Sequence, residues 1–144
     1  MALTRNGTQI LWSSAVTKTV SSNSATTTSD AFTFDSTDVA ALLTLYASTA
    51  GTPASGDVID FYIAWTTGDA LGAGGASTYD TTEHAQFLCR LDNVAANSPG
   101  EQPAQRTIPI PVAATGFKVI AVTSAAAATR NQTFAARVLT QRAA

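Results

Sequence analysis

Along Asp57-Val58-Ile59-Asp60-Phe61-Tyr62-Ile63-Ala64-Trp65, every second residue is large and apolar. Ile59, Phe61, Ile63 and Trp65 fall on one face at period two, and a helix of 3.6 residues per turn would scatter them around its circumference. Such a segment buries one face of a strand, and a strand with one apolar face needs a second layer to cover it. Thr52–Gly56 before it and Gly68–Gly75 after it carry the Pro, Gly and Ser of loops.

The rest of the chain repeats this grammar. Turn signals recur about every 8–15 residues, the spacing of an all-β domain. Gln9–Ser13 and Ala15–Val20 are candidate strands, and Ser21–Ser29 is too polar to be more than a loop or an edge. Ala31–Phe34 precedes a turn at Asp35-Ser36-Thr37-Asp38. Val39–Ala47 has two readings: Asp38 would suit a helix cap, but Leu43, Leu45 and Ala47 alternate with Thr44 and Tyr46, which favours a strand. Further on, Phe87, Cys89 and Leu91 point one way, with Gln86 and Arg90 the other. Asp92–Gln105 reads as a long connection. Thr107–Val112 is interrupted by Pro109 and Pro111, which lack the donor that a central strand needs, and belongs at a sheet edge. Gly116–Thr123 and Thr133–Thr140 flank an alanine-rich connector and suggest a closing hairpin, with Phe117, Val119 and Ala121 on one side and Phe134, Ala136 and Val138 on the other. Four consecutive alanines, Ala125–Ala128, are too few to nucleate a helix.

The pattern predicts an all-β fold: a two-sheet antiparallel β-sandwich of jelly-roll or Greek-key type, in one domain covering residues 10–144. Its expected core comprises Phe34, Leu43, Leu45, Ile59, Phe61, Ile63, Trp65, Phe87, Leu91, Val119 and Phe134. Residues 1–9 are polar apart from Met1, Ala2 and Leu3, and are expected to form an N-terminal arm. No internal repeat speaks for a propeller or a β-helix.

Composition narrows the function. Only 12% of the 144 residues are charged, and the formal net charge is −2. Thr, Ser and Ala stand where charges normally do. The two lysines and six arginines are scattered, so a partner among nucleic acids is not expected. No apolar run reaches the length of a membrane span, and Met1–Gly7 lacks the apolar stretch of a signal peptide. These features predict synthesis in a cytosol, no membrane partner, and no glycosylation at Asn6 or Asn131.

Chemistry finds little to work with. Tyr79-Asp80-Thr81-Thr82-Glu83-His84 is the one dense reactive cluster, and His84 is the sole histidine. Metal ligands held in one short loop without a second histidine are a poor zinc site, and a turn leading into a strand accounts for the same residues. A serine hydrolase needs an oxyanion hole as well as its triad, and no Gly-x-Ser-x-Gly is present. Leu71-Gly72-Ala73-Gly74-Gly75 lacks the Lys-Ser/Thr of a phosphate loop. Asp57, Asp60, Asp69 and Asp80 lack the spacing of a calcium loop. Cys89, on an apolar strand face, reads as a buried inert thiol. No enzyme activity, metal or cofactor is expected.

Four segments carry a resemblance: Val20-Ser21-Ser22-Asn23-Ser24-Ala25, Gly51-Thr52-Pro53-Ala54-Ser55-Gly56-Asp57-Val58-Ile59-Asp60-Phe61-Tyr62, Tyr79-Asp80-Thr81-Thr82-Glu83-His84-Ala85-Gln86-Phe87-Leu88 and Gly116-Phe117-Lys118-Val119-Ile120-Ala121-Val122. Through them the chain resembles the head decoration, or cement, proteins of tailed double-stranded-DNA bacteriophages. That resemblance implies a jelly-roll-like structural protein of the virion, made in the host cytoplasm. It implies a homo-dimer or homo-trimer on the capsid exterior that bridges and stabilises major capsid subunits, without an active site. The alternative is a phage tail, fibre or carbohydrate-binding receptor module, which would offer exposed aromatics such as Tyr62, Tyr79 or Trp12 beside Asp or Asn. Leu3, Arg5, Trp12, Tyr79 and His84 are the candidate partner contacts. Trp12 has a second reading, packing on its own domain. With so few charges, attachment is expected to rest on apolar contact, backbone pairing and shape.

Overall fold

The computed structural model describes residues 2–21, 24–49, 56–66, 85–92, 100–108, 114–124 and 131–143. Among these residues the chain forms ten strands and no helix. They are β1 (Leu3–Ile10), β2 (Lys18–Val20), β3 (Ser24–Thr28), β4 (Phe32–Thr33), β5 (Asp38–Thr49), β6 (Val58–Thr66), β7 (Gln86–Asp92), β8 (Gly100–Ile108), β9 (Gly116–Ser124) and β10 (Gln132–Ala143).

The strands make two antiparallel sheets. The first runs β1-β10-β5-β8 with β2 also on β10, and the second runs β3-β9-β6-β7 with β4 also on β9. The pairings β1 with β10, β3 with β9, β5 with β8 and β6 with β7 are nested. They describe one long hairpin whose arms roll up until β10 meets β5 and β9 meets β6. That is the jelly-roll form of the β-sandwich.

Period-two patterning places the core between the sheets. Ile59, Phe61 and Ile63 of β6 and Phe117, Val119 and Ala121 of β9 are buried on one side, and Leu43, Leu45 and Ala47 of β5 with Phe134, Ala136 and Val138 of β10 on the other. The Phe61 and Phe134 rings meet edge to face across the layers, 6.3 Å between centroids. Phe117 gathers Phe32, Phe34 and Trp65 around it. Of the expected core, Phe34 and Trp65 are partly buried against this cluster. Cys89 is buried.

Several expectations are corrected. Gly116–Thr123 and Thr133–Thr140 do not form a hairpin: β9 and β10 lie in different sheets and bring their apolar faces to one core. Two apolar faces that meet across a sandwich and two that pair in a hairpin leave the same alternation in sequence. Phe87 is not core but 53% exposed. Phe61 sits opposite Cys89 and Tyr62 opposite Phe87, so Leu88 is an extra residue. This bulge reverses the alternation, packing Leu88 on the core and turning Phe87 outward. The long connection ends earlier than expected, since β8 begins at Gly100; β8 does lie at an edge of its sheet. Within Ser21–Ser29 the edge expected there as the alternative to a loop does form, as β3 at the end of the second sheet. Residues 1–9 are no free arm: Leu3–Ile10 pairs with β10 residue by residue, from Leu3 opposite Ala143 to Ile10 opposite Ala136. A polar strand gains its place by hydrogen bonding along an edge, which needs no apolar face.

Two turns position these edges. Ser13 and Ser14 have φ of 53° and 68° in a two-residue turn that returns Ala15 to Trp12, the handedness that suits a tight hairpin. Left-handed serines are strained. The Asp30 carboxylate accepts their N–H groups at 3.3 and 2.9 Å. At Asp35–Asp38 the expected turn forms. The Thr37 hydroxyl donates to Asp35 at 2.7 Å, and this hydrogen bond leads in holding the Asp35 carboxyl below its usual range. Asp38, its side chain fully buried, takes the Arg142 Nε–H at 2.7 Å and thereby raises the Arg142 pKa, tying the end of β10 to the start of β5.

Candidate contact surface

Alternation along β1 sends Leu3, Arg5, Gly7 and Gln9 to the outward face of the first sheet. Pairing sets Leu3 beside Ala143, Arg5 beside Gln141, Gly7 beside Leu139 and Gln9 beside Arg137. From β5, Leu42 lies opposite Leu139 and Thr44 opposite Arg137. The face is therefore a mixed surface of aliphatic side chains and two guanidinium groups. Leu3 is 52% exposed and Leu139 37%.

Gly7 shapes this surface. A Cβ at that position would lie 2.5 Å from Arg137 Nη2, so the missing side chain lets the guanidinium lie across β1. Two shallow depressions flank the row. One, of about 380 Å³, has Arg5, Leu42 and Leu139 on its rim. The other, of about 250 Å³, is bounded by Val16, Tyr46, Ala135 and Arg137. Among the described residues neither Arg5 nor Arg137 has a hydrogen-bond or ion-pair partner.

The opposite side of β1 looks toward the second sheet across an open edge of the sandwich. A groove of about 380 Å³ there is lined by Thr8, Ile10, Leu11, Ala31, Phe32 and others, with Asp30 and Arg142 on its margin. Leu3 through Gly7 are exposed whichever way they point.

The outward face of the second sheet is different. Arg90 grips Asp60 with two hydrogen bonds, 2.7 and 2.8 Å, and the hydrogen bond to Asp60 leads in raising the Arg90 pKa. Two residues along β6, on the same face, Tyr62 and Phe87 meet edge to face at 5.5 Å. Ile120 and Ala64, on the side of their strands away from the core, are buried as well.

The expected contact residues separate. Leu3 and Arg5 stand together on the outward face of β1. Trp12 does not join them: only 1% exposed, it packs edge-on against Phe134 at 4.8 Å because the Ser13-Ser14 turn folds it inward. Tyr79 and His84, with Asp69, Asp80 and Glu83, lie outside the described residues. Asp57 is fully buried, and Asp60 is committed to Arg90. Among the described residues no three His, Cys, Asp or Glu side chains are grouped to hold a metal ion. Sequence reasoning passed over Arg137, Leu139 and Gly7. The alternation of Arg137 and Leu139 against Ala136 and Val138 marks them as outward, but nothing local places β1 next to them.

No protein-family model matches the chain, and no curated protein matches it in sequence. Its fold is similar to that of solved structures. The VP2 subviral particle of infectious bursal disease virus aligns with a TM-score of 0.54 at 14% identity, covering 97% of this chain and 32% of that one. The structure of the Gx strain of the same virus aligns at 0.50, again at 14% identity, with 97% and 32% covered. This chain thus spans about a third of the viral chains it matches, at 32%. The C-terminal CBM6 of LamC, a laminarinase from Zobellia galactanivorans, aligns at 0.48 and 10% identity, with 92% and 98% covered. At such identities the likeness extends to the fold, a β-sandwich shared with a viral capsid protein.

Proposed function

We propose that the chain is a structural protein of a virion: a decoration or cement protein that binds the outer surface of a phage head and bridges major capsid subunits. The observation that carries this reading is the outward face of the first sheet. Exposed leucines and two arginines form a surface, and among the described residues neither arginine has an acid partner. Obligate contact surfaces combine apolar area with arginine in this way. The resemblance to phage decoration proteins and the jelly-roll architecture agree with it.

The test is reconstitution. Purified chain is added to heads of the parent phage from which this protein has been stripped. Saturable binding at a fixed ratio to the major capsid protein, with heads made more resistant to heat, is the expected result. Heads that neither bind the chain nor gain stability would reject the proposal.

A second reading has its own observation. Phe87 is exposed beside Tyr62, with the Asp60–Arg90 fork two residues away along β6, the combination of aromatic surface and polar pair that suits a sugar ring. It would make the chain a carbohydrate-binding module of a tail or fibre. Binding to a glycan array that Phe87→Ala abolishes would favour it.

A further inference from the structure

Among the described residues, β1 is an edge strand unlike the other three edges. Proteins guard exposed edges with proline, charge, bulges or shortness, because an unpaired row of backbone donors and acceptors recruits another strand. β8, at the far side of the same sheet, contains Pro103 between Glu101 and Arg106. In the second sheet, β3 has five residues and β7 carries a bulge against β6. β1 has eight residues in unbroken register on β10, with no proline and no bulge, and Arg5 is its one charge.

We propose that β1 receives an extended segment of a partner protein as an additional strand of the first sheet, and that this segment alternates acidic and apolar residues. Each side of the edge specifies one half of that alternation. On the outward side stand Arg5 and, over Gly7, the Arg137 guanidinium, both without a carboxylate among the described residues. They are two residues apart along β1, about 7 Å at the rise of a strand. Carboxylates two residues apart on an added strand match them. On the inward side, the same strand overlies the groove lined by Ile10, Leu11, Ala31 and Phe32, which suits aliphatic side chains. Backbone pairing supplies affinity and the alternate side chains supply selectivity.

The occupant is a different protein and not a second copy. Antiparallel self-pairing keeps outward residues opposite outward residues. Centred on Asn6, it sets Arg5 of one copy against Gly7 of the other, under the Arg137 guanidinium. Centred on Gly7, it brings the two Arg137 guanidiniums onto adjacent glycines. Both arrangements oppose like charges across strands. The identity of the partner as a capsid protein rests on the function proposed above, whereas the chemistry of the segment does not.

The experiment therefore uses the isolated chain. Isotope-labelled protein is titrated with the acetylated, amidated peptide Thr-Val-Thr-Val-Glu-Val-Glu-Val-Thr, and separately with its counterpart having lysine for both glutamates. The expected result is saturable shifts of backbone amides along Leu3–Ile10 and binding of the acidic peptide at least about tenfold tighter. The double variant Arg5→Glu, Arg137→Glu, altered only at exposed sites, should reverse that preference. Equal binding of the two peptides, shifts that avoid β1, no binding at millimolar peptide, or a concentration-dependent dimer of the chain through β1 would each overturn the inference. Acidic-peptide binding at β1 by a chain that fails to bind heads would leave the inference standing and remove the decoration role. Head binding without peptide selectivity would do the reverse.

Discussion

The outward faces of the two sheets are built from the same kinds of residue and end in opposite states. On the second sheet, Asp60 and Arg90 satisfy each other, Tyr62 and Phe87 rest edge to face, and Ile120 and Ala64 are buried. On the first sheet, Arg5 and Arg137 face outward without an acid among the described residues, and Leu3 and Leu139 are exposed. A charge-poor chain spends few residues on ions, so where it leaves two cations unpaired on one face is informative. On the second sheet the charges pair with each other while Phe87 stays 53% exposed; on the first, the arginines find no acid among the described residues.

The comparison can be broken or sharpened by substitution. Both faces depend on one core, so Phe61→Ala, which removes a ring shared between the sheets, should have the largest effect, about 3–5 kcal/mol in urea unfolding. Hydrogen exchange should accelerate in both sheets together; loss confined to one would mean that the layers are independent. Gly116→Ala comes next. A Cβ there would overlap the Phe32 carbonyl oxygen, a backbone atom that cannot step aside without disturbing the β4–β9 pairing. A cost of about 1–3 kcal/mol is expected, measured as a lowered urea midpoint.

The arginines divide the faces more directly. Arg90→Ala breaks the fork to Asp60, which is only 15% exposed, and should lower the melting temperature measurably. Arg137→Ala removes no hydrogen-bond or ion-pair partner among the described residues and should leave the melting temperature unchanged. Equal losses would erase the distinction between a face with paired charges and one without. Gly7→Ala should have the smallest effect, within about 0.5 kcal/mol, because the atom in its way is the tip of a flexible arginine. Its readout is the position of Arg137, seen as a shifted guanidinium resonance beside an unaltered unfolding curve.

Local pattern reached a good deal of this molecule. The alternation at Ile59, Phe61 and Ile63, at Leu43 and Leu45, and at Val119 and Phe134 is an outcome of side-chain burial at period two, and those residues are in the core. Asp35-Ser36-Thr37-Asp38 forms its turn because the Asp35 and Asp38 carboxylates accept backbone N–H groups within three residues and the Thr37 hydroxyl donates to Asp35. Phe87 escaped for an equally physical reason: a bulge adds one residue without changing the composition of the strand, and everything before it changes face. Trp12 was open between core and contact because its direction depends on two left-handed serines, which ordinary turn preferences do not favour.

The candidate surface shows where local pattern ends. Leu3 and Arg5 were legible as polar-terminus contacts, but Arg137 and Gly7 acquire meaning only when residues 130 positions apart in sequence lie on neighbouring strands. By itself, the sequence determined most of the residues that face a common interior and that two sheets must enclose it, since burying one side of each strand is a short-range matter of alternation and transfer from water. Tertiary structure alone decided which strands are neighbours, that β9 and β10 bring their apolar faces to one core from different sheets, and that, among the described residues, an eight-residue edge lies beside two unpaired arginines. Backbone hydrogen bonds are the same for every residue, so strand order comes from how the whole hairpin rolls up and not from any one segment.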